Sequence, residues 1–148
     1  MKLVATVAII SIILLSCETK KAGLPINGTW KLITGTLIEN NNTTVTDYTK
    51  DKSFIKIIND SHFSFLGHDL KKGADSASAF YTSGGGSYTL TDSTYTERLE
   101  YCSDRAWEQN EFKFTVTINN DTLVQKGIEK VEATGVNRMN IEKYVRVK

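Results

Sequence analysis

Thr94-Tyr95-Thr96-Glu97-Arg98-Leu99-Glu100-Tyr101 and, a short link later, Glu111-Phe112-Lys113-Phe114-Thr115-Val116-Thr117-Ile118 alternate between two kinds of side chain without a break. Successive side chains of an extended strand point to opposite faces, so such alternation marks a strand with one wet side and one buried side. The first stretch puts Tyr95, Glu97, Leu99 and Tyr101 on one face; the second does the same with Phe112, Phe114, Val116 and Ile118. Weaker alternation at 30–38, 54–58, 62–66, 79–90, 122–128 and 140–147 brings the number of predicted strands to eight.

The links between the strands decide how they assemble. Asn59-Asp60, Asp92-Ser93 and Asn119-Asn120-Asp121 are short and rich in turn-forming residues, so each predicts an antiparallel pair. Residues 40–53, 67–78, 102–110 and 129–139 form longer links. If Gly84-Gly85-Gly86 bends or bulges within one strand, the tight turns all fall at one end of an up-and-down meander and the long links at the other. The predicted fold is therefore all-β, an up-and-down antiparallel β-barrel of about eight strands, closed at one end and open at the other. An open two-sheet sandwich with the same meander is the competing arrangement.

Composition agrees with one such domain. The chain has 148 residues, 40% hydrophobic, with one Pro, and at this length folding hides roughly 70% of the unfolded surface. Two Cys cannot make a disulfide framework, and 18 basic against 17 acidic residues give no cationic excess for a phosphate backbone, which argues against a nucleic-acid partner.

The first residues read differently. Lys2 precedes an apolar run from Leu3 to Leu15, which as a helix reaches about 20 Å, short of the roughly 30 Å hydrocarbon core, so 1–16 reads as a cleaved signal peptide. Leu14-Leu15-Ser16-Cys17 resembles the bacterial lipobox, which implies cleavage before Cys17, a diacylglycerol on its thiol and a fatty acyl group such as palmitate on the new amine. Residues 17–27 then form the lipidated Cys and a tether of at most about 40 Å, and 28–148 the barrel domain. Removal of Lys2 with the signal leaves equal numbers of basic and acidic residues, so attachment to the membrane rests on lipid. The implied location is the bacterial cell envelope, inner or outer membrane.

Gly28-Thr29-Trp30 at the start of the first strand resembles the G-x-W signature of lipocalins. The likeness extends through Gly84 to Leu90, Tyr95-Thr96-Glu97, Asp121-Thr122-Leu123 with Gln125 and Gly127, and Tyr144-Val145-Arg146. Over about residues 25–148 the chain resembles the lipocalin-like domain of small bacterial lipoproteins. The resemblance implies a Trp closing the barrel floor with an Arg from a late strand lying across it. The meander independently brings Trp30 and Arg146 to the tight-turn end, where their stacking is a cation–π contact. In the last strand Ile141, Val145 and Val147 oppose Tyr144 and Arg146, and either set can face inward.

Little here predicts catalysis. His62 and His68 lack the spacing of a zinc site, no nucleophile motif is present, and the Gly84–Gly86 run precedes a strand where a phosphate cradle needs a helix. The reading is of a protein that is not an enzyme, with no metal and no cofactor. Cys102 reads as a partly buried, inert thiol. The predicted interior is lined by Phe63, Phe65, Tyr88, Leu90, Tyr95, Leu99, Phe114 and Val116, with Trp107, Phe80, Tyr101 and Phe112 gathered at the open end, either guarding a mouth or covering the core. Such walls suit a small lipophilic or amphipathic ligand. The alternative is a structural or interaction module with a filled barrel that docks a protein or glycan.

Glu97 is the polar exception on its face. Alternation sends its carboxylate inside, where it needs partners. It either ties strands together, bonded to interior tyrosines or Arg146, or, flanked by Tyr95 and Gln125, orients a ligand's donor group.

Overall fold

The computed structural model describes residues 23–148; Cys17, the segment 1–16 and the first part of the tether lie outside the described residues. Nine strands follow in order: β1 (Gly28–Glu39), β2 (Asn42–Asp47), β3 (Lys52–Ile58), β4 (His62–Asp69), β5 (Tyr81–Thr91), β6 (Thr94–Cys102), β7 (Glu111–Asn119), β8 (Thr122–Val131) and β9 (Val136–Arg146). Each from β3 to β9 pairs antiparallel with the next, and β9 returns to pair with β1, which also pairs with β3. Eight strands thus close an up-and-down barrel, with β2 as an extra strand on the upper half of β1.

The extra strand corrects the expectation of a long loop over 40–53. Asn40 and Asn41 both adopt positive φ, 50° and 63°, the requirement of a tight hairpin turn whose twist suits its flanking strands. Asn tolerates that region better than most side chains, and the β-branched run Thr43-Thr44-Val45-Thr46 extends readily opposite β1. The three predicted tight turns are present. Asp92 and Asn120 carry positive φ in two of them, and in the third the Asn59 side chain accepts from the backbone N–H of Ser61 and His62.

The glycine run does contain a bulge, and it changes one strand's facing. Gly85 lies opposite Tyr101 and Gly86 opposite Leu99, so Glu100 is an extra residue in β6. Gly86 faces the Arg98 carbonyl so closely that a Cβ has no room, and a Cβ on Gly84 would sit 2.5 Å from the Phe65 ring. Beyond Glu100 the alternation of β6 inverts. Tyr101, expected inside, is 69% exposed, and Cys102 takes the inward position.

At the tight-turn end the interior is filled. Trp30 and Tyr95 are wholly buried, and Leu32, Ile58, Phe63, Val116, Leu123 and Tyr144 pack with them. Arg146 lies opposite Trp30 in the β1–β9 ladder with its guanidinium 4.0 Å from the ring centroid, as the meander requires. Residues 24–27, expected to belong to a free tether, instead tuck beneath this floor. Ile26 is buried, its carbonyl accepts from the Trp30 indole N–H at 2.7 Å, and Arg146 donates to the carbonyls of Asn27 and Pro25 at 2.7 and 2.6 Å. Tyr144 faces inward, which settles the phase of β9: Arg138, Asn140 and Glu142 share its side of the strand.

Candidate functional site

Above the packed floor the barrel encloses a cavity of about 320 Å³ that reaches the long-link end, where Asp104 and Trp107 line it. Its size falls at the lower end of small-molecule sites. Six predicted lining residues are there: Phe65, Glu97, Leu99, Phe112, Phe114 and Gln125. Phe63, Tyr88, Leu90 and Tyr95 point inward but lie in the packed layer beneath, with the Tyr88 and Tyr95 rings 5.0 Å apart and the Tyr88 hydroxyl donating to the Asn59 carbonyl at 2.6 Å. Tyr101 is outside the barrel, turned there by the Glu100 bulge.

Aromatic rings form much of the wall toward the mouth. Phe54 stacks on Phe65 at 5.8 Å with nearly parallel rings, Tyr48 meets Phe54 edge-on at 5.9 Å, and Trp107 lies 5.8 Å from Phe112. A short 3-10 turn, Arg105–Trp107, holds the indole over the cavity; Asp104 starts that turn by accepting from the Ala106 N–H. Trp107 therefore serves both expected roles, since it lines the opening and packs on Phe112 below. Cys102 also faces the cavity, and burial raises its thiol above the ordinary value, which keeps it in the less reactive protonated form.

Deeper in the cavity, four inward positions one step above the floor are polar. Lys56 on β3, only 3% exposed, forms an ion pair with Glu97 on β6 and donates to Gln125 Oε1 on β8 at 3.0 Å. Its ammonium also sits over the Phe63 and Tyr95 rings at 5.2 and 5.4 Å. Lys56 is thus the partner that Glu97 requires; Arg146 lies at the floor, engaged with Trp30 and the 24–27 segment. Gln125 Nε2 donates onward to Glu142 Oε2 at 3.3 Å, and the Tyr144 hydroxyl donates to that same oxygen at 2.8 Å.

A second ionic group stands nearer the mouth. Arg138 donates from Nε to Glu129 at 2.8 Å while its guanidinium covers the Trp107 ring at 5.2 Å, and Asn140 donates to the other Glu129 oxygen at 2.7 Å. Alternation along β3 and β9 could have exposed Lys56, Arg138, Asn140 and Glu142, but Ile55 and Ile57, and Ile141 and Val145, made the opposite faces look like the buried ones.

Burial raises the Glu142 carboxyl above its ordinary value, and nearby Glu129 and Glu97 add to the shift, whereas Lys56 and the Tyr144 hydrogen bond oppose it. Burial likewise drives the Tyr144 and Tyr95 phenols far up, so neither loses its proton at any ordinary pH. Tyr95 Oη is the single fully enclosed side-chain polar atom without a hydrogen-bond partner among the described residues. Among the same residues no group of three or more His, Cys, Asp or Glu side chains is placed to hold a metal ion. His62 and His68 are both exposed on β4, where Ser61 and the Asp69 carbonyl meet their rings.

The arrangement can enclose a small molecule, desolvate its apolar part against aromatic rings and meet a polar group of it deeper down. No protein-family model matches the chain, and the search of curated proteins finds no match.

Proposed function

We propose that this protein is a membrane-anchored, lipocalin-like lipoprotein that binds a small amphipathic ligand in the bacterial cell envelope and does no catalysis. The observation that carries the binding part is the cavity of about 320 Å³, walled by aromatic rings and by charged and polar side chains. A barrel serving only as a docking module gains nothing from an empty interior, because a void forfeits packing contacts that a filled core would make. Buried charges above the floor cost further stability, which suits a site retained for recognition.

The anchor belongs to Cys17 in the Leu14-Leu15-Ser16-Cys17 sequence. With 24–27 docked under the floor, at most about 25 Å of extended chain separates Cys17 from Leu24. In this reading the closed floor, from which the tether leaves, faces the bilayer, and the ligand enters at the opposite end from the aqueous side.

Organic extraction of the purified protein followed by mass spectrometry tests the binding half. A stoichiometric small molecule is expected, and its absence from protein that also binds none of a panel of small amphiphiles overturns the reading. Detergent partitioning of Cys17→Ser tests the anchor: the variant is expected to leave the detergent phase or to remain uncleaved, since a hydroxyl does not replace the thiolate that accepts lipid.

A further inference from the structure

Of the six charged side chains that line the cavity, four form two pairs, and Glu142 and Asp104 stand outside them. Lys56 is taken up by Glu97 and Gln125, and the Arg138 guanidinium is held by Glu129 on its edge and Trp107 on its face. Glu142 receives two hydrogen bonds, both on Oε2. Its other oxygen, Oε1, has no partner among the described residues, yet it is not among the fully enclosed unpartnered atoms, so it is open to the cavity that the side chain lines. At the mouth Asp104 adds a further negative charge. The lining carries two cations, Lys56 and Arg138, against four carboxylates.

We propose that the ligand is a monocationic amphipathic amine, its ammonium group seated on Glu142 Oε1 and its apolar part held among Phe54, Phe65, Trp107 and Phe112. This deepens the ligand-binding reading above and rests on it. An anionic ligand, such as a fatty acid, meets no free cation here and has to break one of the two pairs to find one. A neutral ligand leaves the Glu142 carboxylate desolvated without a counter-charge once water is displaced. An ammonium supplies that charge and donates to an oxygen that has capacity to accept. The upward shift of the Glu142 carboxyl agrees with a position where burial outweighs the attraction of the cation already nearby. Aromatic walls around the seat add attraction for a cation through their ring faces.

The test is a calorimetric titration of the full chain in phospholipid nanodiscs, with empty discs as the blank. Three probes of matched ring and chain are used: 2-phenylethylamine, 2-phenylethanol and 3-phenylpropionate. The amine is expected to bind about tenfold or more tightly than the alcohol, the gain of a charge-assisted hydrogen bond, and the carboxylate more weakly than either. Glu142→Gln is expected to erase the amine's advantage over the alcohol; Glu142→Asp retains part of the preference. An alcohol that binds as tightly as the amine, a preference for the carboxylate, or an amine advantage that survives Glu142→Gln overturns the amine assignment alone. Failure of all three probes to bind overturns both this inference and the binding function beneath it.

Discussion

At the floor of the barrel, Trp30, Tyr95, Leu123 and Val116 are shut away among other apolar side chains, whereas one inward position higher Lys56, Glu97 and Gln125 are equally buried but polar. The change occurs at the same level on several strands: Ile58 gives way to Lys56 on β3, Tyr95 to Glu97 on β6, Leu123 to Gln125 on β8 and Tyr144 to Glu142 on β9. The two halves share strands and therefore share a backbone frame, but they hold themselves together differently. The lower half gains stability from burial of apolar area, capped by Arg146 and the 24–27 segment. The upper half is held by pairs in which each charge is tolerable only because of its neighbour. Stability is thus concentrated at the closed end and recognition at the open one.

The strongest way to break this contrast is to empty the floor. Trp30→Ala removes the largest wholly buried side chain and the indole bond to Ile26, and is expected to cost about 3–5 kcal/mol in urea unfolding. Arg146→Ala should cost less, about 1–2 kcal/mol for a desolvated cation–π contact. A double-mutant cycle should show coupling between them, since each contacts the other and both hold the 24–27 segment. Additive effects would mean that the floor is not a single unit.

Removing one member of the upper pair gives the next largest effect. Glu97→Gln leaves Lys56 charged and buried with only a neutral acceptor, and about 2–3 kcal/mol of stability is expected to go. Replacing both partners by apolar residues, Lys56→Met with Glu97→Leu, should recover much of that loss, because the pair's attraction is largely offset by its desolvation. If the double variant is no better than Glu97→Gln alone, the pair contributes net stability, and the upper half shares in holding the fold together.

The same contrast governs what could be read from the residues. Floor positions were legible because strict alternation places Tyr95 and Val116 on largely apolar faces, and because connectivity alone sends Trp30 and Arg146 to the tight-turn end. The polar layer was harder, since a buried charge looks like a surface residue until its partner is known. Lys56 stands between Ile55 and Ile57, so the outer face of β3 appears the more hydrophobic one. Glu129 and Arg138 fall in a stretch read as a loop, although β8 continues to Val131 and β9 begins at Val136. Tyr101 was misplaced by a bulge whose glycines were visible in β5 but whose extra residue, Glu100, belongs to the partner strand. Strand β2 lacks an apolar face of its own, and its existence depends on two positive-φ asparagines.

The smallest expected effect separates Glu97 from the half-buried Glu142. Glu97 has a full counter-charge and Glu142 does not, so their Gln variants should move stability in opposite directions. The groups facing Glu142 are Lys56 from β3, Glu97 from β6, Gln125 and Glu129 from β8 and Tyr144 from β9, with burial the dominant influence. Its carboxyl is raised in the folded protein. Below the ordinary Glu value of about 4.3, both folded and unfolded chains hold the proton and the residue adds no pH dependence. As pH climbs past that value the unfolded chain releases its proton first, so the folded state loses stability until its own raised value is passed. Glu142→Gln removes this loss while still accepting from Tyr144. The variant should therefore melt close to wild type in acid and somewhat above it at neutral pH, a difference measurable by parallel thermal unfolding across pH 4 to 8. A gap that is constant with pH, or one that favours the wild type at neutrality, would show that Glu142 already has its counter-charge within the barrel, and the cavity would then have no place reserved for a cation.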